Sequence, residues 1–269
     1  MKKGKYNILV LSDLKDSNNQ LLKSAVSLSK KIDGHVQFFH VKKPTDIVER
    51  ESQLSTFRSI NEQHTKTKKS IEELVSSVHK TYDLKVDYSY TFGNVKNEIG
   101  DYISKNKPDI IILGNRKPKP ISLLGDSITE FVLNTHKGAI LIANNDHVLE
   151  PNKDMSIGVL NGELTLLHNE FPKELLEGTN ESLKIFSFTN NQIDMAQENQ
   201  HEQTKIVEYV FEHNDNTINN LSNYVLKSNI NLLLIDRNKK ENKQKNTKQI
   251  DVKNIIDKLN VSLLISSQK

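Results

Sequence analysis

The sequence predicts an α/β chain built from two tandem parallel-sheet domains, on three observations. Short apolar runs bounded by polar residues alternate with stretches of helical periodicity. The order of those runs repeats once along the chain. Two of the repeated runs match their counterparts at offsets of 122 and 123 residues.

Strands covered on both faces of a parallel sheet read as continuous apolar runs rather than as alternating ones. The first half holds five: 8–11, 36–41, 86–91, 110–113 and 139–143. Between them, Leu21, Leu22, Ala25, Val26, Leu28 and Ile32 recur at helical spacing. Ile71, Leu74, Val75, Val78 and Tyr82 mark a second helix, Val95, Ile99, Tyr102 and Ile103 a third, and Ile128, Phe131 and Val132 a fourth. Ser17 with Gln20, and Ser127 with Glu130, have the spacing of capping boxes, in which each side chain satisfies the other's helix-end amide. Strands alternating with helices of this length form βαβ units.

The second half repeats the order, with strand candidates at 157–160, 183–188, 206–211, 232–235 and 262–265. Pro108–Gly114 aligns with Ile230–Asp236 at the offset of 122, and 138–142 with 261–265 at 123. The polar stretch 144–154, which contains Pro151, separates the copies, giving domains at 1–147 and 153–269. The second copy is shorter. Its stretch 190–204 is polar and nearly free of apolar periodicity, and reads as a loop or frayed turn.

With 269 residues, the chain can bury two cores without covalent staples. It has no cysteine, which excludes disulfides, thiolate metal sites and a cysteine nucleophile. The net charge is only +3, and the richest basic run, 239–245, contains no aromatic residue, unlike a nucleic-acid module. No segment has the apolar length of a membrane span, and the N-terminal run is too short for a secretion signal. The expected location is the cytoplasm. The nine histidines form no metal-ligand spacing, and no Gly-x-Ser-x-Gly elbow is present. Neither a metal site nor a set of catalytic residues is expected.

In open α/β sheets, ligands bind beyond the carboxyl ends of the strands. Asp13 follows the first strand, either as a carboxylate for ligand hydroxyls or a cation, or as a turn residue. Gly93-Asn94 reads as a tight turn into the third helix. Gly114 ends the fourth strand and is followed by the basic residues Arg116, Lys117 and Lys119, then by Gly125, Asp126 and Ser127 at a helix start. A glycine, a basic loop and a helix N-terminus suit an anion, because free amides and the helix dipole point outward there. A solvated basic loop with an ordinary cap is the other reading.

The run Ile8-Leu9-Val10-Leu11-Ser12-Asp13, the helix around Ala25–Lys31, His40-Val41 and the block 110–143 resemble the universal stress protein family. The resemblance covers residues 1–145 and, more faintly, 153–269. It implies two Rossmann-like domains of the adenine-nucleotide alpha hydrolase-like type, paired through their last strands as an internal pseudo-dimer, with room for a homodimer and for an unidentified protein partner. It also implies that ATP or another adenine nucleotide meets Asp13 with its ribose and Val41 with its base. The phosphates would lie on a motif of Gly, two residues, Gly, nine residues, Gly, then Ser or Thr. Gly114 matches the first glycine, but Lys117 stands at the second. Gly125 comes two residues early and is followed by Asp126 before Ser127. Each departure opposes phosphate, through an added Cβ or a nearby like charge. The second copy has no glycine after Asp236 and no aspartate in Asn161-Gly162-Glu163, so it is expected to bind no ATP in the family manner. The implied function is a non-enzymatic stress-response module. A slow ATPase and a ligand-free protein scaffold are the alternatives.

Overall fold

The computed structural model describes residues 4–15, 17–43, 53–115, 128–160, 170–177, 183–189, 198–201, 204–212, 216–236 and 252–266. They form two compact units. The first contains β1 (Tyr6–Ser12), α1 (Asn18–Ile32), β2 (Gly34–Lys42), α2 (Gln53–Tyr82), β3 (Val86–Phe92), α3 (Val95–Asn106), β4 (Ile110–Gly114) and α4 (Ile128–Thr135). The second contains β5 (Ala139–Ala143), β6 (Ile157–Leu160), α5 (Glu170–Leu176), β7 (Leu183–Thr189), β8 (Glu198–His201), β9 (Thr204–Glu212), α6 (Thr217–Lys227), β10 (Leu232–Asp236), α7 (Val252–Lys258) and β11 (Ser262–Ser266).

In the first unit the strands lie in the order β3-β2-β1-β4, all parallel. Ile8, Leu9 and Val10 of β1 and Ile110, Ile111 and Ile112 of β4 are almost wholly buried, as continuous apolar runs in a two-faced parallel sheet must be. Leu21, Leu22, Ala25, Val26, Leu28 and Ile32 make the buried stripe of α1. That helix stops at Asp33, which adopts a left-handed φ of 51° and returns its amide to the Ser29 carbonyl. Asn94 caps α3, its side chain accepting from the Asn97 amide, so Gly93-Asn94 is the tight turn that the sequence indicated.

The second unit repeats this order. Its strands run β5-β11-β10-β6-β7-β9-β8, so β9-β7-β6-β10 reproduces β3-β2-β1-β4. The registers agree residue by residue. Leu11 stands opposite Phe39 and Leu113, and Leu160 stands opposite Phe186 and Ile235. Leu113 and Ile235 are related by the sequence offset of 122, as are Tyr102 and Tyr224. Tyr102 of α3 stacks on Phe39 with ring centroids 4.0 Å apart, and Tyr224 of α6 meets Phe186 edge-on at 5.9 Å. One aromatic pair thus locks α3 in the first copy, and α6 in the second, onto the strand beside the central one. The last strands of the two copies, β5 and β11, pair antiparallel, Leu141 opposite Leu264. By contacts β5 groups with the second unit, so the units divide the chain at a different place from the sequence repeats.

Three expectations need correction. Helix α2 begins at Gln53, well before the apolar pattern at Ile71. Its buried stripe of Ile71, Val75 and Val78 is continued toward the N-terminus by Thr67, a polar residue that hydrophobic periodicity passes over. The stretch 190–204 contains a strand, β8, antiparallel to β9. An edge strand needs backbone partners rather than a buried face, so its Glu-Asn-Gln-His sequence carries no apolar signal. Ser17 makes no side-chain cap to α1, and the buried Oε1 of Gln20 has no hydrogen-bond partner. Asn18 holds that helix start instead, through its side-chain and backbone amides to the Lys15 carbonyl. The second capping box begins at Ser127, outside the described residues.

Phe186 is fully buried and meets Tyr209, Phe211 and Tyr224. Phe186→Ala should cost about 3–5 kcal/mol, read as a lower urea midpoint. A loss of less than about 1 kcal/mol would show that this aromatic cluster is not a core.

Candidate functional site

Three strands of the first unit end together. Ser12 at the end of β1 stands opposite His40 of β2, and Leu11 stands opposite Leu113 of β4. The next residues along these strands are Asp13, Val41 and Gly114, so the sheet brings three of the predicted site residues to one edge. It is the edge where chains leaving β1 and β4 part, the switch point at which open α/β sheets bind ligands. Arg116, Lys117, Gly125 and Ser127 lie outside the described residues, as do Lys119 and Asp126.

The turn after β1 is held by its own side chains. Leu14 has φ 58°, a left-handed conformation that costs a branched residue about 1–2 kcal/mol. Its amide donates to the Ser12 hydroxyl at 3.0 Å, and that hydroxyl donates to Asn18 Oδ1. Asp13 accepts the Lys15 amide on Oδ1 at 3.2 Å, and Lys15 Nζ lies 3.6 Å from Oδ2. Lys15 is exposed and the Asp13 side chain is one-quarter exposed (25%), so this ion pair is weak and the carboxylate stays in reach of a ligand. Strained backbone fixed in this way collects at functional sites. A Cβ built on Gly114 would meet no described atom within 4 Å, and no positive φ requires glycine there. The described residues alone do not account for this glycine.

His40 is the residue whose role sequence reasoning missed. It is buried, and its Nδ1 donates to the Ser12 carbonyl at 2.8 Å, the carbonyl being able only to accept. This bond ties β2 to the last residue before Asp13. Nε2 is buried without a hydrogen-bond partner. Burial holds the imidazole below its ordinary pKa, Lys42 adds to the effect, and the Ser12 bond and Asp13 oppose it. The only signal in the sequence was a histidine at the end of an apolar run. Val41 is half-buried and stands opposite Thr91.

The same register assigns the counterparts in the second unit. Phe188 stands where Val41 does, opposite Phe211, buried and edge-to-face with it at 6.2 Å. Asp236 ends β10 where Gly114 ends β4. The residues after β6 lie outside the described residues. An aromatic ring and a carboxylate thus occupy two of the three positions. Among the described residues, no three histidines or carboxylates gather as metal ligands.

The sequence pattern of the universal stress protein family matches residues 6–143. The chain belongs to the universal stress protein family. No curated protein matches it. Among solved structures, it is similar to a universal stress protein from Archaeoglobus fulgidus, with TM-score 0.69 and 13% identity over 98% of this chain and 96% of that one. It is also similar to a putative universal stress protein from Pseudomonas aeruginosa, with TM-score 0.60 and 11% identity over 97% and 93%. At such identities the likeness is one of fold, and it extends across both copies. The Rossmann-like tandem architecture expected of this stress protein is therefore present. No described helix is long and apolar enough to cross a membrane.

The buried His40 makes stability depend on pH. Above about pH 6.5 the imidazole is neutral in both the folded and the unfolded chain. Below that value the unfolded chain takes up a proton that the folded one resists, so stability falls as pH falls. His40→Asn, which keeps an amide donor near the Ser12 carbonyl, should lose less stability than the wild type between about pH 7.5 and pH 5.5. Urea midpoints at the two pH values test this, and equal losses would count against it.

Proposed function

We propose that this chain is a non-enzymatic, cytoplasmic stress-response module that holds an adenine nucleotide weakly in its first unit and none in its second. The observation that carries the reading is the placement of Asp13 in a strained, internally braced turn, level with the ends of β2 and β4. By the family resemblance, Asp13 would accept hydrogen bonds from ribose hydroxyls and the Val41 backbone would meet the base. No described atom lies within 4 Å of a Cβ built on Gly114, which leaves room for phosphate among the described residues. Arg116, Lys117 and the Gly125–Ser127 segment would supply positive charge and helix-end amides. The replacement of Gly by Lys117, and the carboxylate of Asp126, argue for weak rather than tight binding. In the second unit, Phe188 and Asp236 oppose the base and the phosphates respectively.

Turnover has no support in the described residues. Around Asp13 the polar side chains serve one another: Ser12 bonds Asn18, and Asn18 bonds Lys15. A bound nucleotide would act by ordering the strand ends, and the response would pass to a protein partner.

The test is a thermal-shift screen with ATP, ADP, AMP and cyclic dinucleotides, together with mass spectrometry of nucleotide retained through purification. ATP should stabilise the protein at millimolar concentration, by about 1 kcal/mol or more. Asp13→Ala should weaken ATP binding at least about tenfold, equivalent to roughly 1.4 kcal/mol, while Asp236→Ala leaves it unchanged. Unchanged affinity in Asp13→Ala overturns the assigned site, and no shift with any nucleotide favours a ligand-free scaffold. Phosphate release above the buffer rate would make the protein an ATPase.

A further inference from the structure

The strand order of the first unit ends on β3, and no described residue pairs with the outer edge of that strand. The Gly93 amide donates to the Lys42 carbonyl of β2 at 3.1 Å. Backbone groups turn to alternate sides along a strand, so Thr91, Ser89 and Asp87 also face β2. Val86, Tyr88, Tyr90 and Phe92 therefore direct their amides and carbonyls outward. Natural edges are blunted by proline, bulges or charge. β3 (VDYSYTF) has no proline and a single charge, Asp87, which lies 3.1 Å from His35 Nε2 and 3.8 Å from Lys85 Nζ.

The second unit meets the same constraint from within its own chain. Its counterpart of β3 is β9, because Ser89 stands opposite Phe39 as Tyr209 stands opposite Phe186. β8 lies antiparallel along β9, pairing from Glu198 with Val207 to His201 with Thr204. The position beside this strand thus accepts an antiparallel strand in this fold, and the first unit has no described strand there.

We propose that β3 is a dimerisation strand, and that a second copy of this chain adds its own β3, antiparallel, to this edge. The strand is self-complementary about Ser89. Tyr88 then meets the second copy's Tyr90, and Val86 its Phe92. All are residues whose backbone groups face outward, as hydrogen-bonded antiparallel pairs require. Each such pair exchanges two bonds, about eight across the interface. Ser89 meets its own copy on the two-fold axis, at a non-hydrogen-bonded site where the backbones approach most closely and a small side chain fits. Asp87 faces Thr91 and Lys85 faces Gly93, so no like charges are opposed, and the contact is isologous and closed. This interface is independent of nucleotide binding at Asp13.

Sedimentation of the full 30.7 kDa chain, from low micromolar to several hundred micromolar, tests the proposal. A reversible monomer–dimer equilibrium is expected. Tyr88→Pro removes an outward amide and no bond to β2, so it should fold and weaken dimerisation at least about tenfold. The natural chain has no cysteine, so in Ser89→Cys a disulfide can form only between copies. That variant should cross-link on mild oxidation, whereas Glu62→Cys, on an exposed position of α2, should not. A wild type that is monomeric throughout, a dimer of undiminished strength in Tyr88→Pro, or Ser89→Cys cross-linking no faster than Glu62→Cys would each overturn the proposal. If circular dichroism shows Tyr88→Pro to be unfolded, the two cysteine variants decide it.

Discussion

In each copy the first strand is gripped from both sides by parallel neighbours: β1 by β2 and β4, β6 by β7 and β10. Parallel pairs cannot be closed by a tight turn, so every ladder spans a long stretch of chain and only the buried side chains fix its register. Leu11 and Leu160 do this in the two units. A slip by one residue would turn the side chains of a central strand to the opposite face and displace Phe39 from Tyr102, or Phe186 from Tyr224. The same grip fixes where the candidate site must be. The strands on either side of β1 are reached by connections running in opposite directions, so a crevice opens at its carboxyl end. Asp13 is the first side chain beyond that end.

What surrounds Asp13 follows from the way β1 stops. A parallel strand that ends under a helix must turn sharply, and here the turn passes through a leucine in a left-handed conformation. The strain persists because the turn is over-determined. Ser12 binds the Leu14 amide and Asn18 with its hydroxyl, and His40 with its carbonyl. His40 does this from inside the sheet, where burial keeps it neutral and therefore able to remain buried. The turn thus holds the Asp13 carboxylate in a fixed place, one-quarter exposed. It accepts the neighbouring Lys15 amide and lies near an exposed ammonium.

The strands were legible in the sequence because a parallel sheet buries them on both faces and leaves no alternation to blur the apolar runs. Duplication was legible for the same reason: the offset of 122 survives in the ladder positions of Leu113 and Ile235, where substitution is most constrained. Three features escaped. The early turns of α2 continue a buried stripe through Thr67, and β8 is polar because an edge needs hydrogen bonds and not burial. The start of α1 is held by Asn18, although Ser17 and Gln20 have the spacing of a cap. In each case the element depends on polar residues, which a hydrophobic pattern passes over. Asp13, Val41 and Gly114 lie together at strand ends, as the apolar runs indicated. His40 was not assigned its role, since nothing in a single sequence says that an imidazole beneath a turn donates to its carbonyl.

The two copies have diverged in opposite senses. The first keeps an accessible carboxylate, a small residue and an open glycine at its strand ends, and leaves the edge of β3 without a described partner. The second places Phe188 and Asp236 at the corresponding strand ends, and covers the edge of β9 with β8. Phe188 is buried and meets Phe211 edge-on, which favours the packing of that unit. Covering the edge removes an open row of backbone groups. Both changes favour self-contained structure. The second copy therefore reads as the part of the chain that has moved toward self-contained packing, while the first keeps a strained turn and an edge without a described partner.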